Sequence, residues 1–353
     1  RFQQPESCSL FAGSPPFCIT ANAVDGEGGF VTTGPGGIFL TAESYVPFSV
    51  TAHSDFHTPK ATLEWDINDN ALLYFSAARA FKPAGTDALG GGGGGFVPEA
   101  LVFEPEKLWA YEIGAKTNWS GDFGDLIFNF DTFFLDYSEK QVSVRIIDET
   151  GTPQRRTVNA AGAKVGGFEF DGNWQTPFEG LSFNFGYTFL LSEFEEFNDL
   201  TQDADTVVRA GNCTPRVIDG EDFCEVSYAG NDLEKSPKHA ASLGANLTQP
   251  LFNTGIDWFV EGDAQYLGDR FTDEDNRQIL ESYIVANLRA GLQGENWEAL
   301  VFVDNVTNAD TIRSGTNIPD FGTTVAPFVD FNFIDKGLLP PKRTVGVRAR
   351  YKF

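Results

Sequence analysis

Two of the three histidines in this chain of 353 residues share one short stretch, His53-Ser54-Asp55-Phe56-His57. In extended backbone, alternate side chains project to the same side. His53, Asp55 and His57 therefore form a candidate nitrogen/oxygen ligand set for a metal ion. The third histidine, His239, sits in SPKHAASLG with no G-x-S-x-G elbow beside it, so hydrolase chemistry lacks its nucleophile. The glycines 90–95 lack the Lys-Ser/Thr that a phosphate-binding loop needs, and they read as a flexible loop tip. No catalytic constellation and no cofactor is expected.

The cysteines fall into two close pairs, Cys8 with Cys18 and Cys213 with Cys224, in polar segments rich in Gly and Pro. With no C-x-x-C or Cys/His spacing to suggest metal, they read as two loop disulfides in an oxidising compartment. A formal charge of −25 argues against nucleic acid as a partner. The charge is uneven: residues 193–235 hold twelve acids and three bases, and residues 343–353 hold four bases and no acid. The acidic segment reads as a solvated loop.

These groups need elements to position them. The chain has 34 Phe, 37 Gly and no Met, and its first residues carry no signal-peptide pattern. An N-terminal portion is therefore expected outside the sequence. No apolar run reaches the ~18 residues that argue for a transmembrane helix. A spanning β-strand needs only ~9–11 alternating residues, which a hydropathy window averages away. Such alternation recurs. Leu181, Phe183, Phe185, Tyr187, Phe189 and Leu191 share one face, with Ser182, Asn184, Gly186 and Thr188 on the other. At the C-terminus Val345, Val347, Ala349, Tyr351 and Phe353 oppose Thr344, Gly346, Arg348, Arg350 and Lys352. Eleven strands are expected, at 59–67, 71–80, 107–119, 123–147, 155–175, 179–192, 236–249, 255–268, 281–293, 296–306 and 343–353.

Short links alternate with long ones (82–106, 193–235, 268–280, 307–342), the rhythm of an antiparallel transmembrane barrel with turns on one rim and loops on the other. Eleven is odd, and an antiparallel single-chain barrel closes with an even number. Open edges in lipid leave backbone groups unsatisfied at several kcal/mol each. Either 30–52 supplies a twelfth strand or the chain is part of a larger barrel. If the apolar face meets lipid, Arg348, Arg350 and Lys352 face the lumen, where Glu112, Glu169, Asp171, Glu261 and Asp263 are expected to neutralise them.

The strand wording carries a resemblance. HTPKATLEWDINDNALLYFSAARAFKPAG, FEPEKLWAYEIGAKTNW, FFLDYSEKQVSV, VNAAGAKVGGFEFDGNW, SPKHAASLGANL, NWEALVFVDNVTN and PPKRTVGVRARYKF occur in order. Together, over residues 56–353, they resemble the C-terminal half of TonB-dependent outer-membrane receptors. The resemblance implies an all-β barrel of about 22 strands, closed by an N-terminal plug domain that this sequence does not contain. It implies residues 1–58 as an extracellular loop and strand extension, and 59–353 as the C-terminal part of the barrel. It further implies outer-membrane lipid and lipopolysaccharide, TonB and the barrel assembly machinery as partners, with long loops extracellular and the C-terminus periplasmic. Tyr351 and Phe353 resemble the signal read during assembly. Gly346 stands two positions earlier than the usual glycine of that signal, so weakened recognition is expected. The implied function is energised import of a scarce, bulky nutrient, foremost a ferric siderophore. The alternatives are a passive diffusion channel, which needs the twelfth strand, and a surface binding protein anchored by a barrel. The residues that contact the ligand are not legible.

Overall fold

In the computed structural model the described residues are 52–86, 102–147, 153–201, 207–208, 210–218, 220–319 and 333–353. The chain divides into a unit of residues 1–51, outside the described residues, and one of 52–353. All but Ala52 of the candidate twelfth strand in 30–52 falls in the first unit. Cys8 and Cys18 fall there too, so the disulfide expected between Cys8 and Cys18 lies outside the described residues.

All eleven expected strands are present in one sheet: β1 Lys60–Asn68, β2 Ala71–Lys82, β3 Glu106–Gly121, β4 Gly124–Ile147, β5 Pro153–Gln175, β6 Leu181–Glu196, β7 His239–Pro250, β8 Asp257–Leu267, β9 Tyr283–Gln293, β10 Trp297–Asp304 and β11 Thr344–Tyr351. Each pairs antiparallel with its sequence neighbours, a meander from β1 to β11. In an eleven-stranded meander the first and last strands run in the same direction. Among the described residues each of these two is paired on one side only.

The registers set which residues share a face. Leu63 stands opposite Phe75, Phe75 opposite Ile113, and Ile113 opposite Thr132. The row continues through Phe168 and Phe189 to His239. Along β4 to β6 this face is an aromatic ladder, with ring centroids 5.9 Å apart for Phe128–Phe170, 5.4 Å for Phe170–Tyr187 and 5.5 Å for Phe168–Phe189. Each such pair contributes ~0.5–1.5 kcal/mol beyond its area. The face is nonetheless exposed: Leu63 at 71% and Val347 at 80% have no cover of their own. A continuous apolar surface of this extent needs an apolar solvent.

Short turns close one rim. Asn70 donates its backbone N–H to Asn68 Oδ1 at 2.8 Å, an Asx turn between β1 and β2. Between β3 and β4, Gly124 has φ +92°, and a Cβ there would collide with the Gln175 carbonyl, so only glycine fits. The indole of Trp174 donates to the Phe123 carbonyl at 2.8 Å and ties this turn to the next hairpin.

The other rim carries the long connections. β4 and β5, at 24 and 23 residues, are about twice the length a spanning strand requires. Their excess projects past this rim, as does the end of β6. There the residues 193–235 depart from the expected solvated loop. Asn198–Thr201, Thr214–Ile218 and Glu221–Ser227 form a three-stranded sheet. Phe194, Phe197, Val226, Tyr228 and Leu233 pack with Val142, Ala163 and Val165 into a buried core. The acids of the segment are interleaved with these apolar residues, and burying them gains ~1.5–3 kcal/mol per large side chain. This core, above the rim, is where the described chain buries its apolar side chains most completely.

Candidate functional site

The polar face is built by the residues between the apolar ones. On β2–β6 it carries four acids on adjacent strands. Glu112 accepts a hydrogen bond from the Tyr74 hydroxyl, and Lys116 lies 5.6 Å above the Tyr74 ring. Asp131 stands directly opposite Glu169 in the ladder. Asn129 Nδ2 donates to Asp171 at 3.1 Å, and Thr188 Oγ1 donates to Glu169 at 3.5 Å. On β7–β10, Asn246 Nδ2 donates to Glu261 at 3.1 Å and Asn287 Nδ2 to Asp263 at 2.7 Å. Arg289 bridges Asp263 at 3.1 Å and reaches Asp304 at 3.9 Å.

The terminal cations are not joined to the acids expected to neutralise them. β11 is three strands from β8 and six from β5 in the sheet order. At ~4.8 Å per strand those gaps are ~14 and ~29 Å, far beyond an ion pair. Arg348 instead lies 5.6 Å above the Phe302 ring, and Arg350 stands opposite Glu298. Lys352 lines a small depression with Arg350, Glu295 and Glu298, and its backbone N–H donates to Asn296. The cation that does pair with Asp263 is Arg289, whose partnership depends on the β8–β9 register and escapes a reading of the sequence alone.

Phe302 also explains Gly346. The two are directly opposed, and a Cβ on Gly346 would collide with the ring. The glycine makes room for an aromatic of the neighbouring strand. Tyr351 and Phe353 lie at the short-turn rim, their rings 5.1 Å apart edge to face.

His53, Asp55 and His57 lie beside the long-connection rim. The Ala84 N–H donates to Ser54 Oγ at 3.1 Å, and Phe56 stacks on Phe81. His53 Nε2 is 3.3 Å from Asp55, both highly exposed. Among the described residues no three His, Cys, Asp or Glu side chains are grouped to hold a metal, so His57 does not complete a ligand set. His239 stands in the aromatic row, its Nδ1 2.8 Å from the Tyr187 hydroxyl.

The cap above the rim is tied in three ways. Of the two expected disulfides, the one within the described residues forms: Cys213 and Cys224 are bonded, with Cα atoms 5.3 Å apart. The other expected disulfide, Cys8 with Cys18, lies outside the described residues. Arg216 pairs with Glu225 across the same hairpin as the Cys213–Cys224 bond. Asn231 Nδ2 donates to the Glu274 carbonyl at 2.8 Å, and Asp232 N–H to Asn276 at 2.7 Å, which fastens the cap to the β8–β9 connection. Along β5 to β9 a cavity of about 460 Å³ opens over the polar face, lined by Glu169, Asp171, Thr188, Ser242, Gln265 and Tyr283 among others. Outside the strands, Lys342 bonds Asp310 at 3.1 Å and holds that carboxyl below its ordinary range.

An exposed apolar face, a charged opposite face, turns on one rim and a packed cap on the other define a section of an outer-membrane-type β-barrel. The comparisons with known proteins narrow this to a family. Residues 28–306 match the family model described as "TonB dependent receptor-like, beta-barrel", and the chain belongs to that family. It is a family of receptors and transporters rather than enzymes. The probable TonB-dependent siderophore receptor PiuA of Acinetobacter baumannii is 30% identical over 210 residues, covering 58% of this chain and 24% of that protein. Among solved structures, the ferric yersiniabactin uptake receptor FyuA of Yersinia pestis aligns at a TM-score of 0.59 with 20% identity, over 83% of this chain and 37% of that one. The siderophore receptor PiuA of Acinetobacter baumannii aligns at 0.58 with 20% identity, over 88% and 38%. The chain thus spans about a quarter of the length of the curated relative it matches.

Proposed function

We propose that this chain is the C-terminal half of the barrel of a TonB-energised outer-membrane receptor that imports a ferric siderophore. The observation that carries the reading is the 30% identity to a probable siderophore receptor over 210 residues of barrel. The odd strand number supports a larger barrel, since β1 and β11 run in the same direction and cannot pair antiparallel with each other. In this reading residues 59–353 are barrel, and 1–58 form an extracellular loop and strand extension. The cap and the long connections face outward, and Phe353 marks the periplasmic end. TonB is reached through an N-terminal plug domain. Lipopolysaccharide surrounds the apolar face, and the assembly machinery reads Tyr351 and Phe353. The polar face lines the lumen and guides the ligand without covalent chemistry.

The test is a deletion strain grown under iron limitation, complemented with the full-length gene in the presence and absence of TonB. Uptake of iron-55 from a siderophore panel should fall on deletion and return only with TonB present. Unchanged ferric uptake in the deletion strain would sink the siderophore reading. Uptake restored without TonB would favour a passive channel.

A further inference from the structure

The short-turn rim displays phenylalanine where a turn has no use for it. Phe178, in the β5–β6 turn, is 59% exposed, and Phe252, in the β7–β8 turn, is 86% exposed. Phe252 also has φ +56°, in the left-handed region where Gly or Asn is at ease and a bulky side chain is strained. Its neighbours make the bonds that form the turn. Leu251 N–H donates to the Ile256 carbonyl at 2.8 Å, and Thr254 Oγ1 to the Leu251 carbonyl at 2.6 Å. A strained backbone that presents an unburied ring gains nothing inside the fold, which marks the ring as a contact for something outside it.

The two rings stand on one ledge. Thr248 N–H donates to the Gly180 carbonyl at 2.9 Å, and Gln249 Nε2 donates to the Glu179 carbonyl, so the two turns are fastened together. Consecutive turns are two strands apart, about 10 Å at the usual strand spacing. The rim is acidic as well. The turns 68–70, 121–124, 176–180, 251–256 and 294–296 hold Asp69, Asp122, Glu179 and Glu295 and no Lys or Arg. None of these acids enters an ion pair among the described residues. Apolar rings beside unpaired carboxylates complement a protein surface whose apolar side chains are flanked by Lys or Arg.

Lipid is the rival occupant. In the β3–β4 turn, the ring of Phe123 lies where a Cβ on Gly121 would meet it, on the face that Trp119 shares. Trp119, Trp174, Trp258 and Trp297 end the apolar face at this rim, the place of an aromatic girdle. Phe178 and Phe252 stand beyond that girdle, in turns rather than on strands. Anionic headgroups repel the carboxylate of Glu179, whereas a basic protein surface attracts it.

We propose that Phe178, Phe252 and Glu179 form a docking ledge for the periplasmic domain of TonB, additional to the plug through which TonB is reached. The inference rests on the TonB-energised reading above, which puts this rim in the periplasm. A protein that pulls on a plug inside the barrel approaches across these turns, and a foothold on them sets its orientation.

The experiment uses the purified full-length receptor in detergent and the purified periplasmic domain of TonB, with Phe252→Asn, Phe178→Ala and Glu179→Lys. Asn suits the left-handed backbone at 252, and all three positions lie outside the strands, so unheated samples should keep their folded gel migration. The expected result, read by biolayer interferometry, is TonB binding weakened about tenfold when Phe252→Asn and Phe178→Ala are combined. Glu179→Lys should weaken it about threefold, and binding by the wild type should fall as salt rises. Phe123→Ala, at the ring that leans to the apolar face, should leave binding unchanged. Folded ledge variants that bind TonB like wild type overturn the ledge and leave the energised reading standing. A wild-type receptor that binds no TonB overturns both. Equal weakening by Phe123→Ala assigns the loss to any disturbance of the turns and overturns the proposal. Lipid is tested separately, with a spin label attached through Phe252→Cys on receptor reconstituted into vesicles of phosphatidylethanolamine and phosphatidylglycerol. The label should be more accessible to a water-soluble nickel chelate than to oxygen. The reverse order puts the ring in the bilayer and overturns the proposal.

Discussion

Truncating Phe194 tests whether the cap is a folding unit separate from the strands that carry it. Its side chain is fully buried, with its ring 5.1 Å from Phe197, which is 5.0 Å from Tyr228. Its backbone joins the same unit, donating to Asn231 at 2.9 Å and accepting from Gly230 at 2.8 Å. Phe194→Ala removes the centre of this cluster at a cost of ~3–5 kcal/mol, lost transfer energy plus cavity. At 1.4 kcal/mol per tenfold, that raises the open population of the cap by roughly two to nearly four orders of magnitude, unless the cap is already open. Below the rim β4, β5 and β6 stay joined by their own ladders, so the sheet should persist. Limited proteolysis of the purified full-length receptor in detergent, with cleavage sites mapped by mass spectrometry, reads the change. Cuts should appear within 198–238 while the unheated protein keeps its folded gel migration. A folded variant cleaved no faster than wild type would refute the reasoning, and so would a barrel that unfolds together with its cap.

Two further outcomes follow from single contacts. Cys213 and Cys224 are separated by 11 positions, and closing so short a loop is worth ~3 kcal/mol by the chain-entropy model. Cys213→Ser, or reductant on the native protein, should therefore expose the same 198–238 segment to protease, and protection unchanged by reductant would argue against it. Gly346→Val should destabilise the folded barrel by ~1–3 kcal/mol in urea titrations, because the new side chain meets Phe302. Phe302→Ala should relieve most of that loss; a defect that persists in the double variant would place Gly346 in the assembly signal rather than in packing.

Much of the architecture was legible residue by residue. The run Leu181 to Leu191 alternates because each position meets either apolar or aqueous surroundings, and that demand is imposed locally. The same is true of Val345 to Phe353. Strand number and the sorting of short and long connections follow from such runs, and all eleven strands lie where the alternation puts them. Segment 193–235 is misread from composition because its acids dominate it. Its buried residues keep no single period, since Phe194 and Phe197 are three apart while Cys224, Val226 and Tyr228 alternate, and their partners Val142, Ala163 and Val165 belong to β4 and β5, earlier in the chain. The lumenal charges were half legible. Glu112, Glu169, Asp171, Glu261 and Asp263 fall on the polar face by parity alone. Their partners Tyr74, Asn129, Asn246 and Arg289 follow from register, which parity does not set.

The sequence by itself therefore determined the two faces and the strand count, since these depend on a repeated local contrast between apolar and polar neighbours, while the family was carried by the resemblance of its strand motifs. Only the tertiary structure decided what the long connections do. It folded an acidic stretch into a cap, placed Phe302 over Gly346, and brought Arg270 and Arg313, 43 residues apart, onto one tyrosine ring. Contacts of that kind arise when distant segments close on each other. No periodicity along the chain records which segments will meet.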